Sequence, residues 1–167
     1  MSHTEHKKHA RGPVACAVIT ISDSRTVETD TSGQLISEQL TANGHAVMHY
    51  QIIKDEPEQL KAVFAMLVAN DQCQAIIFNG GTGISRRDAT FDVLDSLLEK
   101  RLPGFGEIFR FLSYQEIGSA AMMSRAVAGV SKGTVIISIP GSAAAARLAM
   151  ERLILPELAH MVWEINR

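Results

Sequence analysis

Residues 14–22 read VACAVITIS, an uncharged run rich in β-branched side chains. Such a run predicts a strand that is buried on both faces, as in a parallel sheet. Further strands are predicted over residues 46–53, 75–78 and 134–139, with a small edge strand over residues 127–130. Together these runs indicate a sheet that forms the centre of the protein.

Helices are predicted between these strands. In residues 60–68 the apolar side chains recur at the i, i+3, i+4, i+7 and i+8 spacing of an amphipathic helix. Asp55 is expected to cap this helix, and Thr31 with Ser32 to cap the helix before it. Pro156 is expected to kink or interrupt the last helix. The remaining predicted helices run from near Thr90 to Lys100, less regularly over residues 107–125 after a break at residues 103–106, and from near Ala143 onward.

The order of these elements predicts the fold class. Strands and helices alternate, which implies right-handed βαβ units. We therefore predict a three-layer α/β/α fold with a mostly parallel central sheet. The chain has 167 residues, which fits one domain, and we assign residues 13–167 to it. A composition of 46% hydrophobic and 20% charged residues excludes intrinsic disorder as the main state.

Charge and targeting signals restrict the partners. The net charge is −2, so no global basic surface exists for nucleic acid. No apolar run approaches the length of a membrane span, and no signal peptide is visible. Cys16 and Cys73 lie in apolar stretches and are expected to be buried thiols in a reducing compartment. We expect a cytoplasmic protein that contacts neither nucleic acid nor membrane.

The first twelve residues differ from the rest of the chain. Residues 1–12 have a charge of +2 and contain three histidines. These histidines allow a metal-binding interpretation. The segment lacks apolar periodicity, however, and chain termini fray, so we expect a disordered basic tail.

Two loops at predicted strand ends carry the chemistry. The first is Gly80-Gly81-Thr82-Gly83 and the second is Pro140-Gly141-Ser142. Glycines let backbone N–H groups approach a ligand closely, and a loop that leads into a helix favours an anion. Ligands of open α/β sheets bind at the carboxyl ends of the strands. The two loops therefore predict a phosphate or nucleotide site, although the sequence lacks a Walker loop, a three-glycine dinucleotide fingerprint and a zinc motif.

Acidic and basic side chains near these loops extend the prediction. Asp88 lies five residues after Gly83, and Asp55 follows a predicted strand. Each is either a ligand of Mg²⁺, which binds one or two carboxylates plus substrate phosphates, or a helix N-cap. Ser124 is either a ligand contact or a buried hydroxyl. Four cations are candidates for neutralising phosphates, and the alternative for each is an exposed, solvated side chain: Arg86, Arg87, Arg125 and Lys132.

Seven motifs in one order then reveal a resemblance. They are ITISD at 19–23, DTSG at 30–33, NGGTG at 79–83, RDAT at 87–90, PGFGE at 103–107, SRA with AG at 124–129, and PGS at 140–142. Over residues 14–165 the chain resembles the MoaB/MogA family of molybdenum cofactor biosynthesis, which includes the gephyrin G domain. The segment 103–129 looks most like the MoaB branch.

The resemblance implies an activity and an assembly. The fold would be the MogA/MoaB-like α/β fold, assembled as homotrimers or hexamers. The activity would be molybdopterin adenylyltransferase, in which Mg²⁺-ATP and molybdopterin give adenylylated molybdopterin and pyrophosphate. Other proteins of molybdenum cofactor biosynthesis would be its partners. The alternative is a non-catalytic MoaB protein that binds molybdopterin or a nucleotide and acts as an assembly partner.

The resemblance also implies roles for individual residues. The nucleotide phosphates would be held by Gly80, Gly81, Thr82, Gly83, Gly141 and Ser142. Asp88 and Asp55 would be the catalytic acids near Mg²⁺, and Ser124 and Arg125 would contact the pterin. Some proteins called MoaB lack the two acids; their presence here favours an active enzyme. Ser85 and Arg86 stand where many adenylyltransferases have a proline.

Overall fold

The computed structural model describes residues 12–167, and a six-stranded sheet forms the centre of that range. The strands are β1 (Ala15–Ile21), β2 (Ala46–Ile53), β3 (Ala75–Asn79), β4 (Lys100–Arg101), β5 (Val127–Ser131) and β6 (Thr134–Ile139). Their order is β2-β1-β3-β6-β5-β4. The first four are parallel, β5 runs antiparallel to β6, and β4 runs antiparallel to β5. The mostly parallel sheet is confirmed; the predicted tail lies outside the described residues except for Gly12.

Helices cover both faces of this sheet, which confirms the three layers. They are α1 (Thr31–Ala42), α2 (Pro57–Val68), α3 (Thr90–Leu97), α4 (Pro103–Ile117), a 3-10 helix (Gly118–Met123), α5 (Ala143–Ala149), a π-helical turn (Met150–Ile154) and α6 (Leu155–Asn166). None of the helices in residues 12–167 combines the length and the apolar character needed to cross a lipid bilayer.

Successive side chains of β1 point into two separate cores. Cys16 and Val18 pack in the core beneath α1, α4, α5 and α6. Ala17 and Ile19 pack in the core beneath α2 and α3. This alternation explains why the strand lacks charged residues, since both of its faces are buried. Cys16 and Cys73 are free and buried in these cores, as predicted.

The antiparallel edge of the sheet differs from the prediction. Residues 127–130 are predicted as an edge strand, but β5 pairs with β6 on one side and β4 on the other. The helix predicted to reach Lys100 ends at Leu97, and Lys100 with Arg101 forms β4 instead. A strand of two residues has no periodicity that a sequence pattern could detect.

Prolines begin helices here rather than only ending them. The run Pro103–Gly106 is predicted as a break, yet it forms the first turn of the regular helix α4. Proline suits the first helical positions, where its missing N–H has no intrahelical acceptor. Pro156 lies in the first turn of α6, directly after the π-helical turn. The N–H of Leu155 donates to the carbonyl of Met150, so a wider turn accommodates the proline without ending the helix.

The start of β1 depends on a neutral histidine. Val14 donates its backbone N–H to Nδ1 of His45 over 3.1 Å. Burial lowers the pKa of His45 below its ordinary value. An imidazolium carries a proton on Nδ1 and cannot accept this hydrogen bond. The contact therefore requires the uncharged side chain.

This contact predicts a loss of stability in acid. Below about pH 6.5 the unfolded chain binds a proton at His45 that the folded chain takes up only at lower pH, so the free energy of unfolding falls as the pH falls. Urea unfolding at pH 7.5 and pH 5.5 should show a smaller drop for His45→Gln than for the wild type. His49→Gln, at a half-buried position on β2, is the matched control. Equal drops in the wild type and His45→Gln would contradict the prediction.

Candidate functional site

Four parallel strands bring the predicted loops to one edge of the sheet. Asp55 follows β2, the glycine loop (residues 80–83) follows β3, and Gly141 with Ser142 follows β6. Because β1, β2, β3 and β6 are parallel, their carboxyl ends lie at the same edge. The structure thus brings together the phosphate-binding candidates of the two loops and both candidate acids.

The glycine loop begins with two residues in the left-handed region. Gly80 has φ +119° and Gly81 has φ +63°. A Cβ atom on Gly80 would lie 2.3 Å from the carbonyl oxygen of Ile21, at the end of β1. A Cβ atom on Gly141 would lie 3.2 Å from Cα of Gly80, so the two predicted loops touch. Position 80 therefore requires glycine for two reasons: its φ is positive, and the Ile21 carbonyl oxygen leaves no room for a Cβ atom.

A buried polar network lies beneath these loops. The side chain of Asn79 is fully buried and donates to the hydroxyl of Thr20 over 2.9 Å. Its carbonyl oxygen accepts a hydrogen bond from the Ser32 hydroxyl over 2.7 Å. The Thr20 hydroxyl donates to the carboxylate of Asp30 over 2.6 Å. These bonds join the ends of β1 and β3 to the beginning of α1.

Asp30 is the N-cap of α1, a position that the sequence analysis assigns to Thr31 and Ser32. Its carboxylate accepts the N–H of Gly33 over 3.0 Å and is fully buried. The predicted cap is therefore wrong by one residue. The motif DTSG carries the signal, since aspartate is a preferred N-cap.

Asp55 caps a helix distant in sequence. It is 7% exposed, and its carboxylate accepts hydrogen bonds from the N–H of Ala89 (3.3 Å) and the hydroxyl of Thr90 (3.2 Å). It therefore caps α3; the prediction that it caps α2 is wrong, because the N-cap of α2 is Glu56. Burial raises the pKa of Asp55, and the negative charge of Asp88 raises it further.

Asp88 faces the glycine loop rather than capping a helix. The residue at the N-cap position of α3 is Ala89, whose own side chain cannot make a capping hydrogen bond. The Asp88 carboxylate accepts the N–H of Ser85 over 2.9 Å, and a Cβ atom on Gly83 would lie 2.8 Å from its Oδ2 atom. Residues 12–167 contain no group of three or more histidine, cysteine or acidic side chains that could hold a metal ion. Of the acids at this edge, Asp55 and Asp88 lie against the glycine loop, and such a pair suits Mg²⁺ only together with substrate phosphates.

The four candidate cations have different surroundings. Arg86 is exposed near the loop. Arg87 is bound by Asp23 (2.7 Å) and Glu56 (2.9 Å). Lys132 is wrongly predicted to neutralise phosphates, because it lies in the turn between β5 and β6, at the amino-terminal end of the parallel strands. It lines a cavity of about 470 Å³ there.

Arg125 braces the glycine loop from the outside. Its Nε donates to the carbonyl of Gly83 over 2.9 Å, and its Nη2 donates to the carbonyl of Asp88 over 3.1 Å. It also pairs with Asp92 over 3.0 Å and lies above the ring of Phe91. These contacts fix the two ends of the segment between Gly83 and Asp88.

A groove lies beside Arg125. It has a volume of about 390 Å³, and its lining includes Ser124, Arg125, Glu107 and Arg110. Arg110 donates to the carbonyl of Ser124 over 3.3 Å. Both residues assigned to the pterin thus line one groove, and Arg125 connects this groove to the glycine loop through the Gly83 carbonyl.

Comparison with known proteins identifies the family of this chain. Residues 17–160 match the family described as a probable molybdopterin binding domain. The chain is 52% identical to molybdenum cofactor biosynthesis protein B of Bacillus subtilis (strain 168), an alignment that covers 100% of this chain and 99% of that protein. The chain belongs to the MoaB/MogA family of molybdenum cofactor biosynthesis proteins.

Solved MoaB structures share the fold. A crystal structure of molybdenum cofactor biosynthesis protein B superposes with a TM-score of 0.91 at 47% identity, covering 93% of this chain and 98% of that one. The tungsten cofactor synthesizing protein MoaB from Pyrococcus furiosus gives a TM-score of 0.85 at 32% identity, covering 94% and 99%. The resemblance found in the sequence motifs is therefore confirmed at the level of family and fold.

The glycine loop of this MoaB/MogA protein generates a stability prediction. Gly80→Ala should lower the free energy of unfolding by about 2–3 kcal/mol, because its Cβ meets the Ile21 carbonyl and its φ is strained. Gly104→Ala, where a Cβ meets nothing within 4 Å, should be neutral or slightly stabilising. Urea unfolding measures both variants. Equal stability of Gly80→Ala and the wild type would refute the close approach.

Proposed function

We propose that this protein is a molybdopterin adenylyltransferase in molybdenum cofactor biosynthesis. The observation that carries the proposal is the glycine loop, which touches Gly141 on one side and faces Asp88 on the other. Such a site combines backbone donors for phosphates with carboxylates for a divalent cation. Family membership supplies the pathway and the pterin substrate.

The reaction balances without a general base. An oxygen of the molybdopterin phosphate attacks the α-phosphorus of ATP, a new P–O bond forms, and pyrophosphate leaves with the electrons of the broken bond. The nucleophile is already an anion, so no proton has to be removed. The difficulty is the approach of one anion to a polyphosphate, and catalysis therefore depends on positioning and electrostatic stabilisation.

The loops supply the donors for this stabilisation. In the proposed complex, residues 80–83 hold the nucleotide phosphates through their backbone and the Thr82 side chain. Gly141 and Ser142 extend the site from the neighbouring strand. The Ser142 oxygen already accepts the N–H of Ala145 over 3.1 Å, which leaves its proton free to donate to a phosphate.

Two carboxylates fit the magnesium ion that ATP carries. Asp55 and Asp88 interact electrostatically and adjoin the glycine loop, which is the donor chemistry Mg²⁺ takes alongside phosphates. These two residues would hold the ion, which supplies charge neutralisation to the polyphosphate when bound. Burial is the main cause of the raised pKa of Asp55, and the negative charge of Asp88 adds to it.

The groove beside Arg125 is the proposed pterin site. Ser124 and Arg125 line it, and Arg125 also fixes the loop through the Gly83 and Asp88 carbonyls. A pterin in this groove would lie next to the phosphate loop. Arg125 would then couple pterin binding to the position of the nucleotide.

Substitution of Asp88 tests whether the two acids take part in adenylyl transfer. Asp88→Asn should lower adenylyl transfer about a hundredfold or more, because the carboxylate that offsets the metal charge is lost. Turnover of molybdopterin and Mg²⁺-ATP should be measured together with thermal melting, with Asp71→Asn at the opposite end of the sheet as control.

Three results would contradict the proposal. Normal turnover of a folded Asp88→Asn variant would reject a catalytic Asp88. A large loss of melting temperature would assign Asp88 a structural role. A wild type that binds ATP and molybdopterin but forms no adenylylated product would be a binding and assembly partner instead.

We also propose that the protein assembles into homotrimers or hexamers. Large apolar side chains are exposed on one continuous segment of α4 and the 3-10 helix, which we call the outer apolar face: Leu102, Ile108, Phe111, Tyr114, Ile117, Met122 and Met123. Their exposed fractions range from 38% to 79%. Clustered exposed apolar side chains of this kind mark protein–protein interaction sites.

The outer apolar face places the proposed subunit contact on α4, whereas the sequence places it on the last helix. On the last helix Val162 and Trp163 are adjacent and therefore point in different directions, so the sequence by itself predicts that one of them faces a neighbouring subunit, and an exposed Trp163 would mark that contact. Trp163 is half-buried, and Arg167 lies over its ring at 5.4 Å. Phe111 and Tyr114, each 61% exposed, are stronger candidates. The missed signal is the i, i+3 spacing of apolar residues along α4.

Light scattering at micromolar concentration tests this assembly. The wild type should have a mass of three or six times the 18.2 kDa of the chain. Phe111→Glu should shift the mass toward 18.2 kDa, because it places a charge in the centre of the interface. Met66→Glu, an exposed methionine on α2, is the control and should stay assembled. A wild-type monomer or dimer, or an unchanged Phe111→Glu variant, would refute the proposal.

A further inference from the structure

Arg25 is a cation that the sequence motifs do not assign to the site. It follows β1, and its backbone N–H donates to the Ser22 hydroxyl over 3.0 Å. Its Nη1 atom donates to the hydroxyl of Ser32 over 2.7 Å and lies 3.6 Å from the carboxylate of Asp30. The side chain is 28% exposed. Arg25 is therefore anchored from both its backbone and its guanidinium.

The anchored guanidinium lies where the two glycine loops meet. A Cβ atom on Gly141 would be 3.8 Å from Nη1 of Arg25 and 3.2 Å from Cα of Gly80. The loop after β3, the loop after β6 and Arg25 therefore converge at one point. An anion held by these loops would be adjacent to the guanidinium.

Arg25 keeps donors for a ligand. Within residues 12–167 neither Nε nor Nη2 of Arg25 makes a hydrogen bond, so the planar fork of the guanidinium has unused N–H groups. Two other arginines near the loop are committed: Arg87 to Asp23 and Glu56, and Arg125 to Asp92 and two carbonyls. Arg25 is thus the cation best prepared to bind an anion.

Asp30 lies next to Arg25 but makes no hydrogen bond with its guanidinium. Asp30 is fully buried and accepts hydrogen bonds from the Thr20 hydroxyl, the Tyr50 hydroxyl and the Gly33 N–H. These neutral donors satisfy most of its acceptor capacity, and the 3.6 Å separation from Arg25 exceeds hydrogen-bond length. Asp30 therefore orients the guanidinium while leaving its outer edge available.

We propose that Arg25 binds a substrate phosphate group at the junction of the two glycine loops. The inference rests on the proposed function and names a residue and a ligand class for its site. Arginine suits this role because its planar guanidinium can donate two hydrogen bonds to one phosphate. Asp30 and Ser32 already hold the side chain in place, so less conformational entropy is lost when the phosphate binds. The phosphate belongs either to the nucleotide or to the phosphomonoester of the pterin.

Binding measurements test Arg25 without requiring turnover. Calorimetric titrations of the full chain with pyrophosphate, with ATP and with anaerobic molybdopterin should be compared for the wild type, Arg25→Gln and Arg25→Lys. Loss of a charged hydrogen bond should weaken binding of the relevant ligand about tenfold or more in Arg25→Gln. Arg25→Lys should recover part of the loss. Arg147→Gln, an exposed arginine paired with Glu151, is the control and should bind normally.

The three ligands separate the two sources of the phosphate. Weaker binding of ATP and pyrophosphate alone would support a nucleotide phosphate, and weaker binding of molybdopterin alone would support the pterin phosphate. Unchanged affinity for all three ligands in Arg25→Gln, or equal losses in Arg25→Gln and Arg25→Lys together with a lower melting temperature, would overturn the inference. A wild type that binds pyrophosphate through Arg25 but forms no adenylylated product would refute the proposed function and leave this inference intact.

Discussion

The buried carboxylate of Asp30 is the interaction on which the rest of the site depends. A charge without access to water is tolerated only when its oxygens are fully hydrogen-bonded. Here the donors come from the end of β1, the first turn of α1 and Tyr50 of β2. Satisfying one acid therefore fixes three elements relative to one another. Arg25 and the buried amide of Asn79 join the same network through Ser32.

The same principle operates on the other side of the glycine loop, where Asp55 has two tasks. It caps α3 by accepting from Ala89 and Thr90, and it lies beside the loop with Asp88. Burial is the main cause of its raised pKa, and the negative charge of Asp88 adds to it. A cation accompanied by phosphates, as in the proposed adenylyl transfer, would offset the negative charge of the two acids.

Structural and chemical roles are therefore combined in the same side chains. Arg125 lines the groove proposed for the pterin, yet it also holds the carbonyls at both ends of the segment from Gly83 to Asp88. Substituting such a residue changes the position of the loop as well as a ligand contact. Assigning its role requires binding to be measured separately from stability.

The sequence by itself determined the α/β class, the parallel strands, the two glycine loops and the family, because buried β-branched runs and ordered motifs are local signals. Only the tertiary structure decided which acid caps which helix: Asp55 serves α3, and Asp30 replaces Thr31 and Ser32 at α1. It also placed Lys132 far from the loops, put β5 inside the sheet and brought Arg25 to Gly141. These outcomes depend on contacts between residues distant in sequence, and composition and periodicity carry no record of such contacts.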